Sequence, residues 1–519
     1  MTAAEGRQIP KLMRFFRRIF TFHFPLLALA TAALAQTAAD PAGNPGRVEK
    51  ITLDAAIQRA LAKNFSIRVS SFDASIAAAQ FTQALGKFDP ILSGTYNHSE
   101  NESPQLINAS TGLRPAATAT ESDNYNLSLN GLLPTGLTYQ LGATSANSRG
   151  TFNLFADNFS TFAGVSGRQP LLRDAGFGPT LASIRIAQTN RNISEWQFKN
   201  TLINTITSVI VTYNELNFAH ASLRSARRAH ELAATLLAEN EKRHKVGSMS
   251  EYEVTTARSR LANREEGILF AQRAVFETEN FLKQLITDEH TPDLLNLHFE
   301  IEPPALPPAV VVNAATDFQE ALKKRPDYQQ AVLNVKRSDI NFRLQRNQLL
   351  PRIDVVGSYG YNGNDTDFGV SRQQVRSEDF RSYSYGAVVS IPLTFTTERG
   401  RYRAAKLQLR QSETSLQSLE QGIVVAVGNA AGQIETTRRR VEVTRQAREL
   451  GQQTLDSEVK RLRAGTGATF FVVQQQEVLA FLEVSEARAK SDYQKALADY
   501  DRQLGITLEK LQIKVESPK

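Results

Sequence analysis

Cysteine is absent from all 519 residues. That excludes disulfide scaffolds, Cys-ligated zinc, iron–sulfur clusters and thiol nucleophiles together, and it removes any lipid anchor attached through sulfur. Charge of one sign is also scarce. Lys and Arg number 60 against 53 Asp and Glu, and the first 35 residues hold five of the bases (Arg7, Lys11, Arg14, Arg17, Arg18) but only Glu5 among the acids. Removing them leaves 55 against 52, spread along the chain, so phosphate-driven binding to nucleic acid is not expected. After residue 35 no apolar run approaches the ~20 residues of a membrane-spanning helix, which excludes a helical transporter. Hydrophobic residues still make up 41% of the chain, too many for wholesale disorder.

Catalytic patterns are missing as well. His23, His98, His220, His230, His244, His290 and His298 show no metal-ligand spacing. There is no G-x-S-x-G, no Walker loop and no G-x-G-x-x-G followed by an acid. No catalytic, cofactor-binding or metal-ligating residue is assigned, and the chain is expected not to be an enzyme. Asn97-His98-Ser99 and Asn101-Glu102-Ser103 match a glycosylation pattern by chance in what reads as a surface loop, and Arg438-Arg439-Arg440 reads as a solvated helix face.

What is present begins with an export signal. Arg14, Arg17 and Arg18 precede an apolar stretch, Phe24 to Leu34, and then Ala33-Leu34-Ala35. A basic segment, a short apolar core and an A-x-A site predict a signal peptide over 1–35, with cleavage before Gln36.

The 19 prolines avoid two stretches, 180–291 and 393–517. Helix interiors exclude proline, so both read as long helices folded back at a glycine-containing tip. In the first, Leu202, Ile206, Val209, Tyr213, Leu216, Ala219 and Leu223 are separated by three or four residues, a 3.5 period that implies left-handed coiling. Between these stretches the period changes to two. Tyr383, Tyr385, Ala387, Val389 and Ile391 alternate with Ser382, Ser384, Gly386 and Ser390. Ile353, Val355, Tyr359 and Tyr361 do so against Asp354, Ser358, Gly360 and Asn362. Similar alternation runs through 91–98, 125–133, 137–144 and 161–169. Such segments fit membrane strands with one face in lipid and one in water.

The chain also repeats itself. Ala60-Leu61-Ala62-Lys63-Asn64 recurs as Ala321-Leu322-Lys323-Lys324-Arg325, and Arg243-His244-Lys245-Val246-Gly247 as Arg461-Leu462-Arg463-Ala464-Gly465. The organisation expected is a first repeat over 36–287 (strands about 91–169, tip 247–250), a linker over 288–315 outside regular structure, a second repeat over 316–505 (strands about 352–395, tip 465–468) and a tail over 506–519. In each repeat two shorter helices, such as 54–88 and 250–287, match one long helix, giving columns ~100 Å tall. One chain cannot close such columns around a lumen, and its unpaired strand edges are forbidden in a membrane, so an oligomer is expected.

Ile51-Thr52-Leu53-Asp54-Ala55-Ala56-Ile57, Gln169-Pro170-Leu171-Leu172-Arg173 and the tips ending Val246-Gly247 and Ala464-Gly465, in this duplicated order, resemble the TolC family of outer membrane factors over nearly the whole mature chain. The resemblance implies an α-dominated fold with membrane β structure. It would be a homotrimer whose outer-membrane β-barrel continues into a periplasmic α-helical coiled-coil barrel, with irregular structure round its middle. It implies an exit duct that expels small molecules, with a periplasmic adaptor protein, an inner-membrane pump and outer-membrane lipid as partners. A type I protein-secretion duct and a non-conducting exported coiled-coil scaffold are the alternatives. The family has four strands per chain, twelve per trimer. The additional pair Tyr125–Leu133 and Leu137–Thr144, joined by Pro134-Thr135-Gly136, gives six and eighteen if it enters the barrel and twelve if it folds over the outside. The alternation of Leu127, Leu129, Leu137, Tyr139 and Leu141 favours eighteen.

The resemblance places the adaptor-docking tips at Gly247, Ser248, Gly465 and Thr466. It places a periplasmic gate at positions six and nine after the second tip glycine, where the family carries acidic rings, with a basic lock two after that glycine. Here those positions hold Phe471, Gln474 and Gly467, so neither device carries over. Glu253 keeps the acid that in the family belongs to the lock. An apolar constriction at Phe471 is expected instead, with Phe470 packed between helices.

Overall fold

The computed structural model describes residues 47–107, 109–112, 116–308 and 313–515. The signal peptide expected over 1–35, linker residues 309–312 and the last four residues of the tail lie outside the described residues. In chain order the elements are β1 (Arg47–Ile51), α1 (Leu53–Lys63), α2 (Phe65–Leu85), β2 (Ile91–Ser103), β3 (Thr118–Leu132), β4 (Thr138–Gly150), β5 (Phe159–Pro170), α3 (Phe177–Thr180), α4 (Ala182–Lys245) and α5 (Glu251–Ile286). There follow β6 (Leu297–Ile301), α6 (Ala314–Lys324), α7 (Pro326–Asn347), β7 (Arg352–Asp365), α8 (Phe368–Arg376), β8 (Phe380–Ser390), α9 (Thr396–Arg463), α10 (Thr469–Leu504) and α11 (Thr507–Lys510). None of the described helices is long and apolar enough to cross a membrane.

The 3.5-period residues of α4, from Leu202 to Leu223, are all buried. Ile206, Val209, Tyr213 and Leu216 form one core with Ile57 and Ala60 of α1, Leu282 and Ile286 of α5, and Leu297 and Phe299 of β6. The second core repeats the pattern, with Ile423, Val427, Ala430 and Ile434 of α9 against Ala489, Tyr493 and Leu497 of α10.

Each of the two shorter helices that lead into the sheet, 54–88 and 316–350, expected as one piece, is broken. Asn64 separates α1 from α2 at φ −64°, ψ 126°, and Arg325 separates α6 from α7 at φ −64°, ψ 123°. The two breaks stand at the same place in the two repeats. Asn64 supports its break from both sides, its Oδ1 accepting from Ile67 N at 3.2 Å and its Nδ2 donating to Leu285 O at 2.9 Å. Arg325 is held extended by the following Pro326, whose ring excludes the helical region one residue earlier. The linker also contains regular structure, because β6 pairs in parallel with β1. The Tyr213 hydroxyl lies 2.9 Å from Ile51 O and 2.8 Å from Glu302 O, tying this ribbon to α4.

The six remaining strands form one antiparallel sheet in the order β2-β3-β4-β5-β7-β8. β3 and β4 lie inside it, between β2 and β5, and do not fold over its outside. Their turn is closed by Gly136 N donating to Leu133 O at 2.9 Å, with Gly136 at φ +93°. One cross-strand row reads Leu92, Leu129, Leu141, Val165, Tyr359, Tyr383, while a row on the other face reads Ser93, Ser128, Gly142, Gly164, Gly360, Ser382. One face is therefore apolar and the other polar across all six strands. β2 runs to Ser103, so Asn97 and Asn101 lie in a strand and not in a loop. At the helical end of the polar face, Arg168 and Arg352 converge on the fully buried Asp354.

Candidate functional site at the helical tips

Both long helices end in the same hydrogen-bonded turn. At the end of α4, Gly247 N donates to His244 O at 2.8 Å and Ser248 N to Arg243 O at 2.9 Å. At the end of α9, Gly465 N donates to Leu462 O at 3.1 Å and Thr466 N to Arg461 O at 3.0 Å. Two reversed bonds closing over a left-handed residue make a Schellman cap, and both glycines stand at φ +75°. The hydroxyls of Ser248 and Thr466 reinforce the turns by donating to the same carbonyls. No atom lies within 4 Å of a Cβ added at either glycine. Gly247, Ser248, Gly465 and Thr466 thus occupy equivalent positions at two bare tips.

Glu253 is exposed but makes a local contact. It closes a capping box, its Oε2 accepting from Ser250 N and Ser250 Oγ, each at 3.0 Å, so its charge serves the start of α5. Gly467 has a steric reason: a Cβ there would lie 2.9 Å from Leu462 N, so no basic side chain fits at that position without moving the backbone. Phe470 and Phe471 are each about half exposed and meet edge to face, with ring centroids 5.6 Å apart. Phe470 lines a cleft of about 520 Å³ between the two tips, with Leu236, Met249, Tyr252 and Leu462, and the Arg260 guanidinium stands 6.0 Å from its ring centre. Phe471 and Gln474 are exposed on α10 three residues apart, hence on one side of the helix.

Above the tips the two repeats are stapled by ion pairs, which the sequence pattern gave no means of locating. Arg264 meets Glu477 at 3.2 Å, and Arg228 meets Glu483 at 3.1 Å. Higher still, Glu215 of α4 receives both Arg488 and Lys495 of α10, and Asp492 joins Arg488 to Arg440 of α9. Burial alone would raise the Glu215 carboxyl, but the hydrogen bonds and charges of Lys495 and Arg488 together hold it below its ordinary value. Arg438 and Arg439 both pair with Glu435, so the triple-arginine run is fully engaged along the helix surface.

The model of the outer membrane efflux protein family matches residues 56–287 and 318–505, one segment for each repeat. The chain belongs to this family. No curated protein matches it in sequence. Among solved structures it is similar to the CmeC outer membrane channel of Campylobacter jejuni, at 16% identity over 87% of this chain and 85% of that one, with a TM-score of 0.63. The outer-membrane channel OprN shows 18% identity over 94% and 98%, also at 0.63. The outer membrane protein VceC of Vibrio cholerae shows 16% over 87% and 96%, at 0.61.

Membership puts this efflux-family protein in the outer membrane, with an apolar sheet face for the membrane and helical columns below it. Catalysis is not the business of such channels. Among the described residues, His98, Glu121 and Asp123 are near enough to share one ion, but Arg149 already lies 2.7 Å from Glu121 and 3.1 Å from Asp123.

Proposed function

We propose that three copies of this chain close into one exit duct of a tripartite efflux pump, which passes small molecules from a periplasmic adaptor and an inner-membrane pump to the exterior. The observation that supports this reading is the sheet. Its two edge strands, β2 and β8, each leave one edge unpaired among the described residues, and its six strands share one apolar face. Lipid tolerates neither free edge, and joining each β8 to the β2 of a neighbouring copy satisfies all of them at once. Three sheets then make an eighteen-stranded barrel, and the polar rows of serine, glycine and asparagine line a water-filled passage. The strand ends that meet the helices face the periplasm, and the tips point toward the cell interior, where Gly247, Ser248, Gly465 and Thr466 meet the adaptor.

The gate in this reading is Phe471, with Gln474 on the same side of α10. Three Phe471 side chains near a three-fold axis form an apolar constriction that resists wetting. Efflux is tested in cells lacking their own channel. Expression of the chain together with a cognate adaptor and pump should restore dye extrusion, and omission of the adaptor should abolish it. Extrusion that is indifferent to the adaptor would contradict the tripartite reading.

A further inference from the structure

α8 is not needed to close a duct. It lies in the connection between β7 and β8, at the strand ends farthest from the helical columns. Ser371, fully buried, donates to Phe159 O at 3.1 Å and Thr161 Oγ1 at 2.9 Å. Phe368 packs on Phe159 with ring centroids 5.7 Å apart. A Cβ on Gly363 would lie 1.9 Å from Ser371 O, so the helix backbone rests directly on β7 at a residue without a side chain. Thr161 and Gly363 share the side of the sheet that carries Val165, Tyr359 and Leu141. The helix therefore lies on the apolar outer face, in the row that begins with the stacked pair Tyr96 and Tyr125, whose centroids are 4.9 Å apart. Tyr96 and Tyr125, with Tyr361 one row nearer the helical columns, put aromatic side chains at this end of the apolar band, the arrangement that marks a membrane interface.

On this helix Arg372 and Arg376 are exposed, and neither guanidinium makes an ion pair or hydrogen bond with a described residue. They stand one turn apart, roughly 100° and 140° round the axis from Ser371, and so face away from the barrel wall. Arg381, on the same side of the sheet, also lacks an acidic partner and lies over the Tyr383 ring at 5.9 Å. The nearby carboxylates are engaged elsewhere: Asp367 caps Val370 N, Glu378 accepts from Tyr361, Asp379 from Ser377, and Asp365 from Asp367 N. Arg149, at the same rim, shows the contrast, since Glu121, Asp123 and Asp157 all lie within ion-pair distance of it. The half-exposed Phe368 and Val370 supply an apolar flank. Unpaired guanidiniums above an apolar flank at interface depth are the pattern of a helix that lies in the headgroup layer.

We propose that α8 is an interfacial helix on which Arg372 and Arg376 bind the phosphate groups of outer-leaflet lipid headgroups, Arg381 contributing from β8. Planar guanidinium forks match phosphate oxygens two at a time, and the i, i+4 spacing lets both arginines reach one headgroup. This rests on the outward orientation of the sheet proposed above. The test uses the delipidated full-length protein in detergent, titrated by native mass spectrometry with bis-phosphorylated lipid A and with its dephosphorylated form. The wild type should bind the phosphorylated lipid about tenfold more tightly. The Arg372→Gln, Arg376→Gln double variant should lose that preference, while Arg410→Gln, on an exposed face of α9, keeps it. Equal binding of the two lipids, or a preference retained by the double variant, would overturn the proposal, as would displacement of the lipid by equimolar inorganic phosphate. Single-channel conductance of the same double variant should match the wild type, which separates failure of the lipid site from failure of the duct.

Discussion

Phe471 stands three residues into α10, half exposed and touching Phe470 edge to face. If it gates the duct, Phe471→Ser should leave a folded trimer with raised closed-state conductance and little change in cation preference. A destabilised trimer with unaltered conductance would instead identify it as a packing residue. Glu215 gives a second prediction at this scale. Its carboxyl is lowered in the fold, burial opposing and Lys495 and Arg488 outweighing it. Its stabilising contribution is therefore fully present above the ordinary glutamate value of 4.5 and is lost as the pH falls through the lower folded value. Glu215→Gln should melt below the wild type at pH 7, with the difference shrinking as the pH is taken below 4.5; a difference independent of pH would refute the linkage. The glycine tips were legible because a left-handed cap favours glycine. The roles of Glu253 and Gly467 were not, since a capping box and a close backbone approach look in sequence like any acid and any glycine.

At the scale of elements, the two Schellman caps separate stability from docking. A side chain at φ +75° costs about 1–2 kcal/mol whatever its size, and nothing lies near enough at either glycine to add a clash. Gly247→Ala and Gly465→Ala should therefore lower the melting temperature slightly while preserving efflux. Gly247→Arg and Gly465→Arg should carry the same stability loss, still assemble, and fail to support efflux. Drug resistance that is equal in the Ala and Arg variants would remove the tips from the docking surface. The long helices were legible because a buried 3.5-period stripe persists over many turns. The breaks at Asn64 and Arg325 hid inside otherwise helical composition, although Pro326 marked the second. β1 and β6 are five residues each and pair across 250 positions, a contact that no local period reveals. β2 outruns its alternating segment because the residues from His98 to Ser103 carry no apolar parity, and α8 is too short for a helical period to stand out.

At the scale of the whole molecule, the sheet and the columns support the proposal that this chain is a third of a conducting barrel. Alternation recovered the six strands because one face of each meets lipid and the other water. It favoured β3 and β4 joining the sheet but could not fix it, since that depends on pairing with β2 and β5. The most direct test is single-channel recording in planar bilayers of the protein extracted from membranes, with its mass measured in the same detergent. A trimer that inserts and conducts in discrete steps, and loses both properties when β3 and β4 are deleted, is the predicted result. A species that stays monomeric in detergent, or a trimer that never conducts, would contradict it.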